Sequence, residues 1–160
     1  MRGWKTENMR VRASIKFLHV LVTHGDGTSM VSRSADWLRQ ALRDLEHAQR
    51  SLEAGDYEWA CFAAQQAAEK AVKALYQSLG IEVWGHSVSR LLASLPREVS
   101  PPEELVDKAK ELDRHYIPAR YPNFHPEGAP MDYYSKSDAE RAIRYAREIV
   151  EFCRRKIAQA

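Results

Sequence analysis

The chain has 160 residues, 44% hydrophobic and 29% charged, which suits one domain around a single buried core and leaves no room for a second full domain. Seven glycines, seven prolines and no run near the roughly 18 apolar residues of a membrane span argue against collagen-like, disordered and membrane classes. Of 24 basic and 22 acidic residues, five bases and two acids fall in residues 1–29, so the rest is close to neutral and offers no broad surface for duplex DNA or anionic lipid.

Residues 1–29 read differently from the remainder. Their one apolar run, Ile15 to Val22, is broken by Lys16 and His19 and leads into Thr23-His24-Gly25-Asp26-Gly27-Thr28 without a cleavage pattern, a poor secretory signal. They are expected to be an N-terminal extension, a translated upstream segment that is poorly ordered or dispensable, with the domain proper in 30–160.

From Ser34 the leucines Leu38, Leu42, Leu45 and Leu52 recur at steps of four, three and seven, one stripe of a helix that should stop at Gly55. Asp56 is a good N-cap for a second helix, small along Ala60, Ala63, Ala64, Ala67, Ala68 and Ala71 and ending by Gly80. The Gly55-Asp56 turn makes the pair antiparallel, and the alanines let the axes approach closely. A short helix should carry Leu91, Leu92 and Leu95 up to Pro96. Pro101 and Pro102 then open another, with Leu105, Val106, Ala109, Leu112 and Tyr116 inward. The prolines at 118, 122, 126 and 130 forbid a continuous helix over 118–136. Ser137-Asp138-Ala139-Glu140 fits a capping box for the last helix, which buries Ala142, Ile143, Ala146, Ile149, Val150 and Cys153. No strand is expected in 30–160. The fold expected is an all-α antiparallel bundle of four or five helices.

Cys61 and Cys153 lie far apart with no CxxC or Cys/His cluster, so they read as core hydrophobes in a reducing, cytoplasmic setting. No two of the six histidines have the spacing of a helical metal site, and neither a metal nor a cofactor is expected. Dinucleotide, P-loop, zincin and serine-hydrolase motifs are absent. Trp59, Phe62, Trp84 and Tyr133 could be exposed anchors, although large aromatics of a helical bundle are more often core.

Two stretches could carry chemistry. Gln66, Glu69 and Lys73 share one face of the second helix, either as a solvated ion-paired face or as part of a site. Asp113-Arg114-His115-Tyr116-Ile117-Pro118-Ala119-Arg120-Tyr121-Pro122-Asn123-Phe124-His125-Pro126 sets aromatics beside Arg and His in a proline-stiffened loop. That composition suits base stacking and phosphate binding, or equally a plug at the bundle end.

Together with Gly55-Asp56-Tyr57-Glu58, Gln65-Gln66-Ala67-Ala68-Glu69-Lys70-Ala71-Val72-Lys73 and Gly85-His86-Ser87-Val88, the run Leu112-Asp113-Arg114-His115-Tyr116-Ile117-Pro118-Ala119-Arg120-Tyr121-Pro122 resembles the HEPN domain family, in its Arg-Tyr-Pro branch, over roughly residues 34–157. The resemblance implies a helical bundle, a two-fold homodimer, and a toxin–antitoxin-like pairing with a minimal nucleotidyltransferase. It implies a nucleotide- or partner-binding module with Lys73, Glu69, Gln66, Asp113, Tyr116, Tyr121 and His86 as the nucleotide-binding set, His115 being another ring that could stack on a base. Alternatively it implies a metal-independent RNase, because many members carry Arg, four to six residues, then His, the spacing of Arg120 and His125. There His125 would be the general base on the RNA 2′-hydroxyl and Arg120 would stabilise the phosphoryl transition state, leaving a 2′,3′-cyclic phosphate. A third implication is a purely structural dimerisation domain. Tyr121-Pro122 after the Arg, Pro126 after the His, and Glu127 where a modifiable Tyr can stand are departures from the family pattern.

Overall fold

The computed structural model describes residues 32–160, and the expectation for residues 1–29 lies outside them. Among the described residues there are six α-helices and no strand: α1 (Ser34–Ala54), α2 (Tyr57–Ser78), α3 (Val88–Ala93), α4 (Glu103–Asp113), α5 (Pro130–Tyr133) and α6 (Lys136–Gln159). No described helix is long and apolar enough to cross a membrane.

The central helix is α2, which packs on both α1 and α6. Its alanines explain how: Ala60, Ala64, Ala67, Ala68 and Ala71 are fully buried, so neighbouring backbones close in without long side chains between them. Against them α1 sets Ala41 and Ala48, also fully buried. The seam of α1 is therefore its small residues, whereas Leu38, Leu45 and Leu52 flank it half-buried and Leu42 is 40% exposed. Close approach selects the small row because a leucine would hold the axes apart.

The turn between α1 and α2 closes as expected. Gly55 has φ +85°, and the Gly55 and Asp56 amides donate to the Leu52 and Ser51 carbonyls at 3.2 and 2.9 Å, a left-handed stop that only glycine enters cheaply. Asp56 holds the N-cap position of α2, but its side chain makes no capping bond. The last helix starts two residues before the expected box. Ser135 is its N-cap, accepting from the Asp138 amide at 3.2 Å while Asp138 accepts from the Ser135 amide at 2.8 Å. Ser-x-x-acid fits both registers, and the earlier one wins because Asp138 completes it from the third helical position. At the other end of the bundle α4 stops at Asp113, so Tyr116 belongs to the turn that follows rather than to the inward face of that helix. The only helical elements within residues 118–135 are the single turns Pro122–Phe124 and α5.

Cys61 and Cys153 are buried and unpaired in the core. Trp59, Trp84 and Tyr133 are not core residues: they are 48%, 83% and 42% exposed, and Phe62 is half-buried. Substituting the fully buried Ala64 by Leu is expected to cost about 1–3 kcal/mol through overpacking of the helix contact, read from urea unfolding.

His115 is the buried titratable group of the α4 end, packed against Tyr134 with 5.5 Å between ring centroids. Burial holds its imidazole below the ordinary 6.5, and Glu111 and Asp138 pull upward without overcoming it. The unfolded chain therefore takes up this proton first as pH falls. Stability is complete above pH 6.5 and declines below it, so the melting temperature should drop between pH 7.5 and 5.5, and His115→Gln should flatten that slope.

Candidate functional site

The polar row of α2 is largely out of water. Gln65 is fully buried and Glu69 is 4% exposed, although both lie on a helix whose neighbouring positions are alanine. Lys73 reaches back one turn to Glu69 Oε1 at 2.8 Å, and its ammonium sits 5.7 Å over the Trp37 ring of α1. Gln65 Nε2 donates to Glu69 Oε2 at 3.1 Å, Gln66 Nε2 donates to Gln65 Oε1 at 2.7 Å, and Lys70 bridges Gln66 to Asp44 of α1. Burial by itself would raise the Glu69 carboxyl, but the bonds and charges of Lys73, Gln65 and His86 outweigh it and hold it below 4.5. The carboxylate is thus ionised, buried and enclosed by donors.

His86 is brought to Glu69 by the connector after α2. Gly85, at φ +105°, turns the chain where an L side chain would be strained, and Gln65 Nε2 fixes the His86 carbonyl at 3.0 Å. The His86 Nδ1 then lies 3.2 and 3.4 Å from the two Glu69 oxygens. Ser87 follows as the N-cap of α3. Asp113, the last residue of α4, accepts from the amides of Val88 (2.6 Å) and Ser89 (3.2 Å) and from the hydroxyls of Ser87 (2.8 Å) and Ser89 (2.5 Å). Its carboxylate serves the start of α3 and so clamps α4 to the His86 connector. Asp113→Ala should cost about 1–3 kcal/mol, read from thermal unfolding, because it strands those donors together.

The turn after α4 completes the cluster. Tyr116 stacks on His86 with centroids 4.6 Å apart and planes inclined by 16°. Four residues on, Arg120 Nε donates to the Tyr116 carbonyl at 2.8 Å. Its guanidinium carbon lies 4.3 Å from the Phe62 centroid, 4.8 Å from Tyr116 and 5.1 Å from Tyr121. Nε is the one guanidinium nitrogen with a protein acceptor among the described residues, so both terminal NH2 groups remain for an external oxyanion.

His125 is placed differently. Its Nε2 lies 2.8 Å from the Pro118 carbonyl and its ring stacks on Tyr133 at 4.2 Å, while the Tyr133 hydroxyl donates to the Glu127 carbonyl. A carbonyl only accepts, so Nε2 carries the hydrogen. Arg120 and His125 have the spacing of the motif but share no hydrogen bond among the described residues. His115 packs on Tyr134 and presents no ring to a base.

The structure therefore gathers Glu69, Lys73, Gln66, His86, Tyr116, Tyr121 and Arg120, with Asp113 behind them as a clamp. Sequence reading missed Gln65 and gave Phe62 no part in the site. Gln65 stands four residues before Glu69, a spacing that puts it on the same face; its place among alanines concealed it. Phe62 had only an aromatic identity to offer, and nothing in spacing pairs it with a residue 58 positions away.

These elements define an all-α domain whose polar face is assembled around the middle of its central helix. The HEPN domain family matches residues 34–156, and the chain belongs to that family. It is similar to the crystal structure of TT1696 from Thermus thermophilus, at 52% identity over 78% of this chain and 98% of that one, with a TM-score of 0.77. ST0689, an archaeal HEPN homologue, is 46% identical over 78% of this chain and 98% of its own, at a TM-score of 0.68. Among curated proteins, one from Methanocaldococcus jannaschii named "Putative toxin MJ1304" is 30% identical over 124 residues, 72% of this chain and 82% of that protein.

Proposed function

We propose that this chain is the HEPN component of a toxin–antitoxin-like pair and that it acts by binding the phosphate and base of a nucleotide or RNA at the Arg120 cluster. The observation that carries this reading is the guanidinium of Arg120, held among Phe62, Tyr116 and Tyr121 with its terminal nitrogens unspent. A planar fork fixed by rings is prepared for a phosphate, and Tyr121, 47% exposed beside it, offers a face on which a base can stack. Likeness to a protein named as a toxin supports the cellular role.

Room for a longer strand supports RNA over a lone nucleotide. A groove of about 580 Å³ near the start of α1 is lined by Arg33, Arg39, Arg43 and Lys70 around Trp37, with Arg33 and Arg39 paired to Asp36, Arg43 to Glu46 and Lys70 to Asp44. Trp37 is the ring beneath Lys73, so the groove adjoins the polar row of α2. Cations interleaved with an aromatic suit a single strand. In the same reading the chain works as a homodimer beside a minimal nucleotidyltransferase, and the exposed Trp59, edge-on to Phe62 at 6.2 Å, is an apolar anchor for either contact.

The test is inducible expression in a bacterial host, paired with thermal shift of the purified chain by a short single-stranded RNA or a nucleoside monophosphate. Wild type should arrest growth and gain at least about 2 °C at saturating ligand; Arg120→Ala should lose both while Arg120→Lys keeps the fold and loses most of the shift. Normal growth together with no ligand shift from the wild type would refute the proposal.

A further inference from the structure

We infer that the groove between the start of α4 and the second half of α6 is a docking face for another protein, and that its occupant is an acidic amphipathic helix. Nothing in this depends on the Arg120 cluster binding a nucleotide. The groove measures about 410 Å³, and Leu105 and Phe152 form its floor. Both are nearly buried, at 6% and 7% exposure, so little apolar surface is left to select a partner and the charges of the rim select it instead. Those charges are unevenly satisfied. Glu104 and Glu148 share the Lys108 ammonium, which lies 2.7 Å from Glu104 Oε1, and Glu151 pairs with Arg154 at 3.0 Å. Each acid of the groove therefore already has a cation. Arg147 and Arg155 are both exposed and have no acid among the described residues: Arg147 donates to the neutral Gln49 Oε1 at 2.8 Å, and Arg155 makes no hydrogen bond or ion pair among them.

A guanidinium grips a carboxylate or a phosphate equally well, so the two arginines alone would suit an acidic protein or a nucleic acid. Glu151 decides between them. It stands midway along α6, four positions from Arg147 and four from Arg155, and Glu104 and Glu148 line the same groove. A nucleic-acid strand carries a charge at every nucleotide and would press phosphates against these three carboxylates. A helix spaces its charges. Arg147 and Arg155 are separated along α6 by roughly 12 Å, a span that a partner helix matches with two acids about seven or eight residues apart and a neutral or basic side chain between them, opposite Glu151. Slipping that helix by one turn would set an acid against Glu151, so the alternation of sign fixes its register as well as its charge. A cleft between two helices, floored by apolar side chains, is a common seat for a third.

The experiment selects binders for the full chain from a displayed library of helical peptides with one face randomised, using the chain that carries Arg147→Glu and Arg155→Glu together for counter-selection. Enriched helices are then made as labelled peptides, and their binding is read by fluorescence anisotropy at low and high salt beside a short single-stranded RNA. Both arginines are exposed, so the reversed chains should keep the wild-type melting temperature within a few degrees; Arg147→Gln and Arg155→Gln serve if they do not. The enriched helices should carry an Asp or Glu pair about seven or eight residues apart beside apolar positions. Either single reversal should weaken their binding about tenfold or more, and replacing the facing acid of the peptide by Lys should restore it to within about threefold. High salt should weaken the wild-type pairing. Helices that lack the acid pair, or that bind the doubly reversed chain equally well, would overturn the inference, as would a selection that yields no binder. An RNA that binds the wild type and is lost on reversal, with no helix selected, would overturn it by giving this face to nucleic acid. The thermal shift that depends on Arg120 is untouched by any of these results, so the nucleotide reading stands or falls separately.

Discussion

An ionised carboxylate almost out of water persists only while donors enclose it, and the donors around Glu69 come from the parts of the chain that the fold must bring together. Lys73 and Gln65 stand one turn away on either side along α2, so helical geometry supplies them. His86 arrives on a connector that can turn at Gly85 and that Gln65 holds by its carbonyl. Ser87 then starts α3, Asp113 ties the end of α4 to that start, and the following turn lays Tyr116 on His86 and carries Arg120 back over Phe62. The position of Arg120 thus depends, through four hydrogen-bonded or stacked links, on one buried charge of the central helix.

Such a row of polar side chains is compatible with a central helix because the rest of α2 is so small. Alanines at 60, 64, 67, 68 and 71 let α1 and α6 pack backbone to backbone, so the core is closed by proximity rather than by bulk. The polar row occupies what close packing leaves, where α1 contributes Asp44 to Lys70 and Trp37 to Lys73. Arg120 continues the same logic at the end of the bundle. A guanidinium is planar and weakly hydrated, so it can lie against Phe62, Tyr116 and Tyr121 and still present its edge to water; an ammonium could not do both.

What the sequence makes legible is what period and punctuation encode. Gly55 stops α1, prolines at 101 and 102 precede α4, and the alanine pattern makes α2 the partner of two helices, all readable from local chemistry. Steps of three and four likewise put Glu69 and Lys73 on one face. Period does not say whether a polar face meets water or another element. Glu69 is buried because a connector, another helix and a turn close over it, and those are contacts across tens of residues. The leucine stripe of α1 misleads for a related reason: hydrophobicity ranks leucine above alanine, while a close helix contact ranks them by size, and size wins in the seam. The start of α6 shows the remaining limit, since two overlapping Ser-x-x-acid registers are equivalent until α5 fixes where the chain arrives.

The two histidines show why spacing counts residues and not partners. Arg120 and His125 have four residues between them, yet spacing leaves open which acceptor a histidine ring finds. The prolines decide it. Pro122 has no N–H to give the carbonyl four residues before it, so the Pro118 carbonyl is left for His125 Nε2. Tyr133, from the single turn of α5 begun by Pro130, then closes over the other face of the ring. Both partners of His125 are provided by the segment whose prolines forbid a helix, whereas both partners of His86 come from the core side, from α2 and from the turn after α4. The ring held by a carboxylate is tied to the core of the bundle, and the ring held by a carbonyl locks its own turn.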